Sequence, residues 1–196
     1  MYEGKLVRLR RLEVDDADSF FPYWNNYHLR QYLPTPLPTS KEDMENYIKS
    51  ANESFANRKG FTFGIETLHN NRLVGIVTLV NVSWISHNAE VGILAIFDPE
   101  GWGKGLGSDA MVVLLDVAFS VLNLHSVYLW VAGFNERAIK FYEKIGFTNT
   151  GKLREMAYRN GSRYDVITMD ILRAEFEEKY GVLPKGETGH TSEGLK

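Results

Sequence analysis

Polar and apolar residues alternate over positions 5–11, and a period of two predicts a first strand. The period then lengthens. Ala17, Phe20, Phe21 and Trp24 recur at helical spacing behind Asp15 and Asp16, either of which can cap a helix. Over 32–38 the prolines Pro34, Pro36 and Pro38 remove amide donors and fix φ, so a stiff connecting loop is expected. Ser40 opens a second helix with Met44, Tyr47, Ile48, Ala51 and Phe55 on one face and Gly60 just past its end. Residues 61–67 and 72–80 read as a hairpin turning at His69, Asn70 and Asn71.

Residues 90–97 are nearly continuously apolar, which predicts a strand buried on both faces. A helix from 108 to about 122 follows, keeping Met111, Leu114, Leu115, Ala118, Phe119 and Leu122 on one side. Next come a strand at 126–131, a helix capped by Asn135 and stopped by Gly146, and two strands, 149–156 and 164–172, around the turn Asn160-Gly161. The order β-α-α-β-β-β-α-β-α-β-β predicts a mixed α/β fold. One domain is expected over 1–180, and the polar stretch 181–196 reads as a mobile tail.

Composition narrows the partners. With 196 residues, of which 44% are hydrophobic, the chain is long enough for one full core. A net charge of -3, with scattered Lys and Arg, gives no field for gripping nucleic acid. The absence of cysteine excludes disulfides, thiolate metal sites and a cysteine acyl-enzyme. The first five residues carry no apolar signal core, and no apolar run approaches the roughly 20 residues of a membrane span. A cytoplasmic location without a membrane partner is the expectation.

The candidate chemistry begins at Gly101, Gly103, Gly105 and Gly107, between an apolar strand and a long helix. Glycines allow positive φ and close approach to the peptide N–H groups, and the helix start offers partial positive charge to an anion. The run lacks the Gly-x-x-x-x-Gly-Lys-Ser/Thr of a P-loop. It also lacks the spacing and the downstream carboxylate of a dinucleotide site. It is either a cradle for another phosphorylated ligand or a turn joining strand to helix. No Gly-x-Ser-x-Gly elbow points to a serine nucleophile. His87 and Glu90 would face opposite sides of a strand, so no metal site is read from them.

Two strings together carry a resemblance: Gly105-x-Gly107, and Asn135, Ala138, Tyr142, Gly146 and Phe147 in the pattern Asn-x-x-Ala-x-x-x-Tyr-x-x-x-Gly-Phe. With Gly151 to Glu155, Asn160-Gly161 and Asp165, the chain resembles the GNAT superfamily of N-acetyltransferases. The likeness runs over about residues 4–175, within the branch of ribosomal-protein alanine and polyamine acetyltransferases. Trp102 departs from the family's usual Gln or Arg.

The resemblance implies a mostly antiparallel sheet of about seven strands with helices on both faces, splayed in the middle. It implies acetyl-CoA as co-substrate, no metal, and a possible homodimer. The pyrophosphate would lie on Trp102, Gly103, Lys104, Gly105, Leu106, Gly107 and Ser108, with Lys104 either adding charge or simply solvated. The pantetheine arm would pair with Leu94, Ala95 and Ile96, and Asn135 and Ala138 would touch CoA.

Tyr142 would donate a proton to the leaving sulfur, although its spacing equally fits a core aromatic. Glu90 is the candidate base, directly or through water, or else a solvated strand end. An N–H near Leu94 or Ala95 would hold the oxyanion. The amine site would be walled by Tyr23, Trp24, Tyr27, Tyr32, Pro34, Tyr158, Arg159 and Asp165. The acidic helix start Glu42, Asp43, Glu45 would attract a polyamine or merely complement the helix dipole.

The branch implies a protein N-terminal Ala or Ser amine as acceptor, with a small amine or polyamine as the alternative. A silent acyl-CoA sensor is the third reading, against which Tyr142 and Glu90 both stand.

Overall fold

The computed structural model describes residues 2–30, 32–33 and 37–181. Pro34, Pro36 and the expected tail from 182 onward lie outside the described residues. One sheet runs in the order β1-β2-β3-β4-β5-β6-β8-β7. Its strands are β1 (Tyr2–Glu3), β2 (Val7–Arg11), β3 (Phe61–Thr67), β4 (Leu73–Ser83), β5 (Asn88–Ile96), β6 (Ser126–Ala132), β7 (Thr148–Arg159) and β8 (Ser162–Leu172). The strand beyond the seven expected is β1, too short for any periodicity to register. β5 and β6 pair in parallel and the other neighbours are antiparallel.

The helices are α1 (Ala17–Trp24), α2 (Tyr27–Arg30), α3 (Lys41–Ala56), α4 (Leu106–Asp116), α5 (Glu136–Ile145) and α6 (Arg173–Tyr180). They cover both sheet faces. On one face Met111 and Leu114 of α4, Ile145 of α5 and Phe176 of α6 pack with Val77, Leu79, Val127 and Leu129. On the other, Phe20 and Trp24 of α1 and Met44 and Ile48 of α3 pack with Ile76, Ala95 and Phe97.

Local sequence sets the helix ends. The Ser40 hydroxyl accepts from the Asp43 N–H at 3.0 Å and the Asp43 carboxylate accepts from the Ser40 N–H at 3.0 Å, a reciprocal cap. Asn135 caps α5 by accepting from the Ala138 N–H at 3.2 Å. Gly146 ends α5 at φ +123, where a Cβ would be strained. α4 runs into a π turn, Val117–Val121, so the predicted helix to about 122 is a helix with a widened last turn. Sequence reasoning missed α2 and α6. The signal for α6 was Phe176 and Tyr180 four residues apart, with Phe176 buried against Phe119 at 5.4 Å between ring centres.

The sheet opens in its middle. β5 and β6 pair at Asn88↔Ser126, Ala89↔Val127 and Glu90↔Tyr128, while β6 goes on pairing with β8 as far as Ala132↔Val166. Beyond Glu90 the two parallel strands part. β5 also bulges there: Leu79↔Val91 and Val77↔Leu94 leave Thr78 opposite both Gly92 and Ile93. The Ile93 N–H donates to the Thr78 hydroxyl at 2.8 Å, which fixes the bulge.

Candidate active site

Where β5 and β6 part lies a cavity of about 440 Å³ that reaches both faces of the sheet. From β5 it is walled by Gly92, Ile93, Leu94 and Ala95, and from α5 by Asn135, Ala138 and Tyr142. Its far wall is the β7–β8 hairpin, through Met156, Tyr158 and Arg159, with Tyr32 and Leu33 after α2. Gly92 is required by space: a Cβ there would stand 2.8 Å from the Thr78 hydroxyl and 3.1 Å from Val80. An interior glycine in an apolar strand was the sequence signal for this bulge.

The backbone of β5 is sorted by its pleat. The Phe97 N–H donates to the Val74 carbonyl of β4 at 3.0 Å, so Phe97 and, two residues back, Ala95 aim their polar groups at β4. Leu94 and Ile96 therefore turn theirs toward the gap. The Ile96 carbonyl there accepts from the Trp102 indole N–H at 2.7 Å. Trp102 thus holds the glycine loop against the open edge of β5, in place of the polar side chain usual in the family. Of the three predicted pantetheine partners, Ala95 faces β4 and Ile96 has its carbonyl engaged by Trp102, whereas Leu94 turns both N–H and C=O to the gap.

The loop itself fits an anion. Gly103 and Gly105 take φ +75 and +82, and Gly105 is the left-handed residue before α4. The first-turn amides of Leu106, Gly107 and Ser108 have no earlier helical turn to donate to. Lys104 is exposed. Asp109, which sequence reasoning passed over, accepts the N–H groups of Lys5, Leu6 and Val7 at 3.0, 2.7 and 2.9 Å and ties the chain before β2 to this helix start. Gly105→Ala is expected to cost about 1–2 kcal/mol from the left-handed backbone alone. For a chain of this size that is a fall of about 2–8 °C in Tm, which a thermal melt reads.

Tyr142 lies on the cavity wall, packed edge-on against Phe141 and Phe147 at 5.1 and 5.6 Å. Burial pushes its phenol up to about 12, so it holds its proton at any physiological pH. Glu90 sits on the last β5–β6 rung and accepts from the Asn81 side chain at 2.8 Å. It is half-buried, off the cavity wall and two residues from Gly92, about 7 Å along a strand. The structure therefore brings Tyr142 to the cavity directly and leaves Glu90 off its wall.

The predicted amine wall divides. Tyr32, Tyr158 and Arg159 line the cavity. Trp24 does not: at 8% exposure it belongs to the core under α1, since with Ala17 and Phe20 it completes that helix's apolar stripe. Tyr23 stacks on Phe97 and accepts from Arg72 at 3.0 Å. Tyr27 is exposed away from the cavity. Asp165 serves the hairpin rather than the cavity, accepting from the Glu155 N–H at 3.0 Å and from Lys152 at 2.7 Å. The Lys152 hydrogen bond, then the backbone one, hold its carboxyl below the usual range. Trp130, Phe134 and Met156 line the cavity without having been predicted.

Residues 7–148 match the family model described as an acetyltransferase (GNAT) domain. The chain is 34% identical over 171 residues to spermidine N(1)-acetyltransferase of Vibrio cholerae, across 87% of this chain and 95% of that protein. To the putative ribosomal N-acetyltransferase YdaF of Bacillus subtilis it is 29% identical, across 87% and 93%. The crystal structure of the Vibrio cholerae spermidine N-acetyltransferase with CoA and spermine superposes with a TM-score of 0.76 at 32% identity, across 87% of this chain and 97% of that one. Among the described residues no helix is long and apolar enough to cross a membrane.

Proposed function

The chain belongs to the acetyltransferase (GNAT) family, and from that premise we propose that it moves the acetyl group of acetyl-CoA directly onto the primary amine of a small molecule. The observation that carries this reading is the cavity between β5 and β6. It is lined by α5 on one face of the sheet and by the chain around α2 on the other, with Tyr142 on its wall. A donor entering from one face and an amine from the other would meet there.

Acetyl-CoA supplies an acetyl group activated as a thioester. The amides at the start of α4 would hold its pyrophosphate, and the Leu94 carbonyl would accept from the pantetheine arm. The Leu94 N–H would donate to the acetyl oxygen as negative charge gathers on it. Glu90 would take the amine proton through one water, Tyr142 would give a proton to the departing sulfur, and a C–N bond would replace the C–S bond.

The relatives favour the small-amine alternative over a protein N-terminus. The spermidine enzyme is the more similar of the two relatives described above, and its crystal structure is also a structural neighbour. A cytoplasmic location belongs to the same reading. Free-thiol release from acetyl-CoA tests it, with small amines, spermidine and Ala-, Ser- and Met-starting peptides as acceptors. Turnover of small amines well above that of peptides is expected. Preference for a peptide would return the reading to protein N-termini. Silence with CoA still bound would make the chain a sensor.

A further inference from the structure

Within the small-amine reading, on which this inference rests, the charge of the cavity says which amines fit. Among its described lining residues Arg159 is the single side chain with a formal charge, and no carboxylate stands on the wall. Tyr32 and Leu33 line it from a stretch of sequence, 31–40, that contains no Asp or Glu. Arg159 makes one hydrogen bond, from Nη2 to the Leu33 carbonyl at 3.0 Å, and has no ion-pair partner among the described residues. Its Nε is shielded from water and has no partner among the described residues. Arg163, on the same hairpin, lies over the Tyr158 ring at 5.8 Å.

A buried guanidinium N–H without an acceptor is costly, and so is a guanidinium in a cavity without a counter-charge. Both costs vanish when a carboxylate enters and accepts from the planar fork. A polyamine does the opposite, since its distal ammonium would sit in a cavity whose one formal charge repels it. We propose that Arg159 anchors a carboxylate of the acceptor, so that the amine acetylated by this chain belongs to an amino acid-like molecule and not to a polycation. The Leu33 bond gives Arg159 a second role, because it joins the loop after α2 to the hairpin and holds the acceptor end of the cavity together.

Matched acceptors of one chain length test the proposal: an ω-amino acid, the ω-amino alcohol and the diamine, with spermidine beside them, each read as kcat/KM by thiol release. The amino acid is expected to lead the diamine by about tenfold or more, the factor of one charge-assisted hydrogen bond. Arg159→Gln should erase that lead through the acceptor KM while leaving acetyl-CoA affinity unchanged, and Arg159→Lys should retain part of it. Arg159→Glu should turn the preference toward the diamine.

Diamine or spermidine leading in the unaltered protein would overturn the anchor while leaving the acetyltransferase reading intact. An Arg159→Gln variant with unchanged discrimination would overturn it too. Weaker CoA binding in that variant would assign the guanidinium to the donor and remove it from acceptor selection. Should Arg159→Gln unfold for want of the Leu33 bond, the discrimination of the unaltered protein and of Arg159→Lys still decides. Silence with every amine, CoA still binding, would sink the acetyltransferase reading and this proposal together.

Discussion

Tyr142→Phe is expected to lower kcat by about a hundredfold or more, the usual weight of a positioned general acid. CoA affinity and Tm should stay near those of the unaltered protein. The phenol and benzyl rings have the same shape, so the contacts with Phe141 and Phe147 survive and only the donor is lost. The pH profile gives a second reading. Burial raises the phenol to about 12, so the proton remains on Tyr142 throughout the range in which an amine becomes nucleophilic. kcat should therefore show no descending limb from this residue below about pH 11. The same shift acts on stability: an unfolded tyrosine loses its proton near 10 and the folded one near 12, so the fold weakens as pH rises through that interval. A fully active Phe variant would take Tyr142 out of the acid role and leave it a wall of the cavity.

Tyr142 could be picked out from sequence because a single helix carries all that places it. Asn135 fixes where α5 begins and Gly146 where it ends, both by local backbone chemistry, and the seven-residue spacing from Asn135 to Tyr142 then sets the side of the helix. The glycine loop is legible for the same reason, since positive φ at Gly103 and Gly105 is a property of those residues. The acceptor wall is assembled from distant strands and loops, and residue type alone does not sort it. Trp24 and Tyr158 are both large aromatics near the expected wall. One is in the core, packed with Phe20 and Phe97, and the other in the cavity, on the hairpin that forms its far wall. The spacing of Trp24 from Phe20 was already that of a buried stripe. Asp165 is of the same kind: its register opposite a bulge in β7, and not its charge, decides that it holds backbone. Gly92 and Asp109 show what a closer reading of the sequence allows. An isolated glycine inside an apolar strand marks a bulge, and a carboxylate in the first turn after a glycine loop is placed to collect amides from a neighbouring chain segment.

Glu66→Gln is expected to destabilise the protein by about 3 kcal/mol, because it strips one partner from a buried ion cluster. Tm should fall by about 6–12 °C in a chain of this size. Glu66 is 6% exposed near the end of β3, a position that a lone carboxylate would not tolerate. It is held by the guanidinium groups of Arg8 and Arg10 from the neighbouring β2, the latter at 2.6 Å, and Arg10 in turn grips Asp16 at 2.8 Å through both of its terminal nitrogens. Burial alone would raise the Glu66 carboxyl, but the hydrogen bonds from Arg10 and Arg8 and their charges outweigh it and hold it below the ordinary range. The Asp16 carboxyl is lowered against its own burial in the same way by Arg10. With folded values depressed, the stability of the cluster is complete above the unfolded carboxylate range and is lost as pH falls through the folded values. Unfolding in urea at neutral pH and again in acid reads this directly. The gap between the unaltered protein and Glu66→Gln should be full at neutral pH and should narrow in acid, where protonation removes the charge that the substitution removes. kcat at a temperature where both are folded should be equal, since no member of the cluster lines the cavity. A variant as stable as the parent would mean that Arg8 and Arg10 find water or Asp16 at no cost, and that the cluster orders the edge of the sheet without holding it.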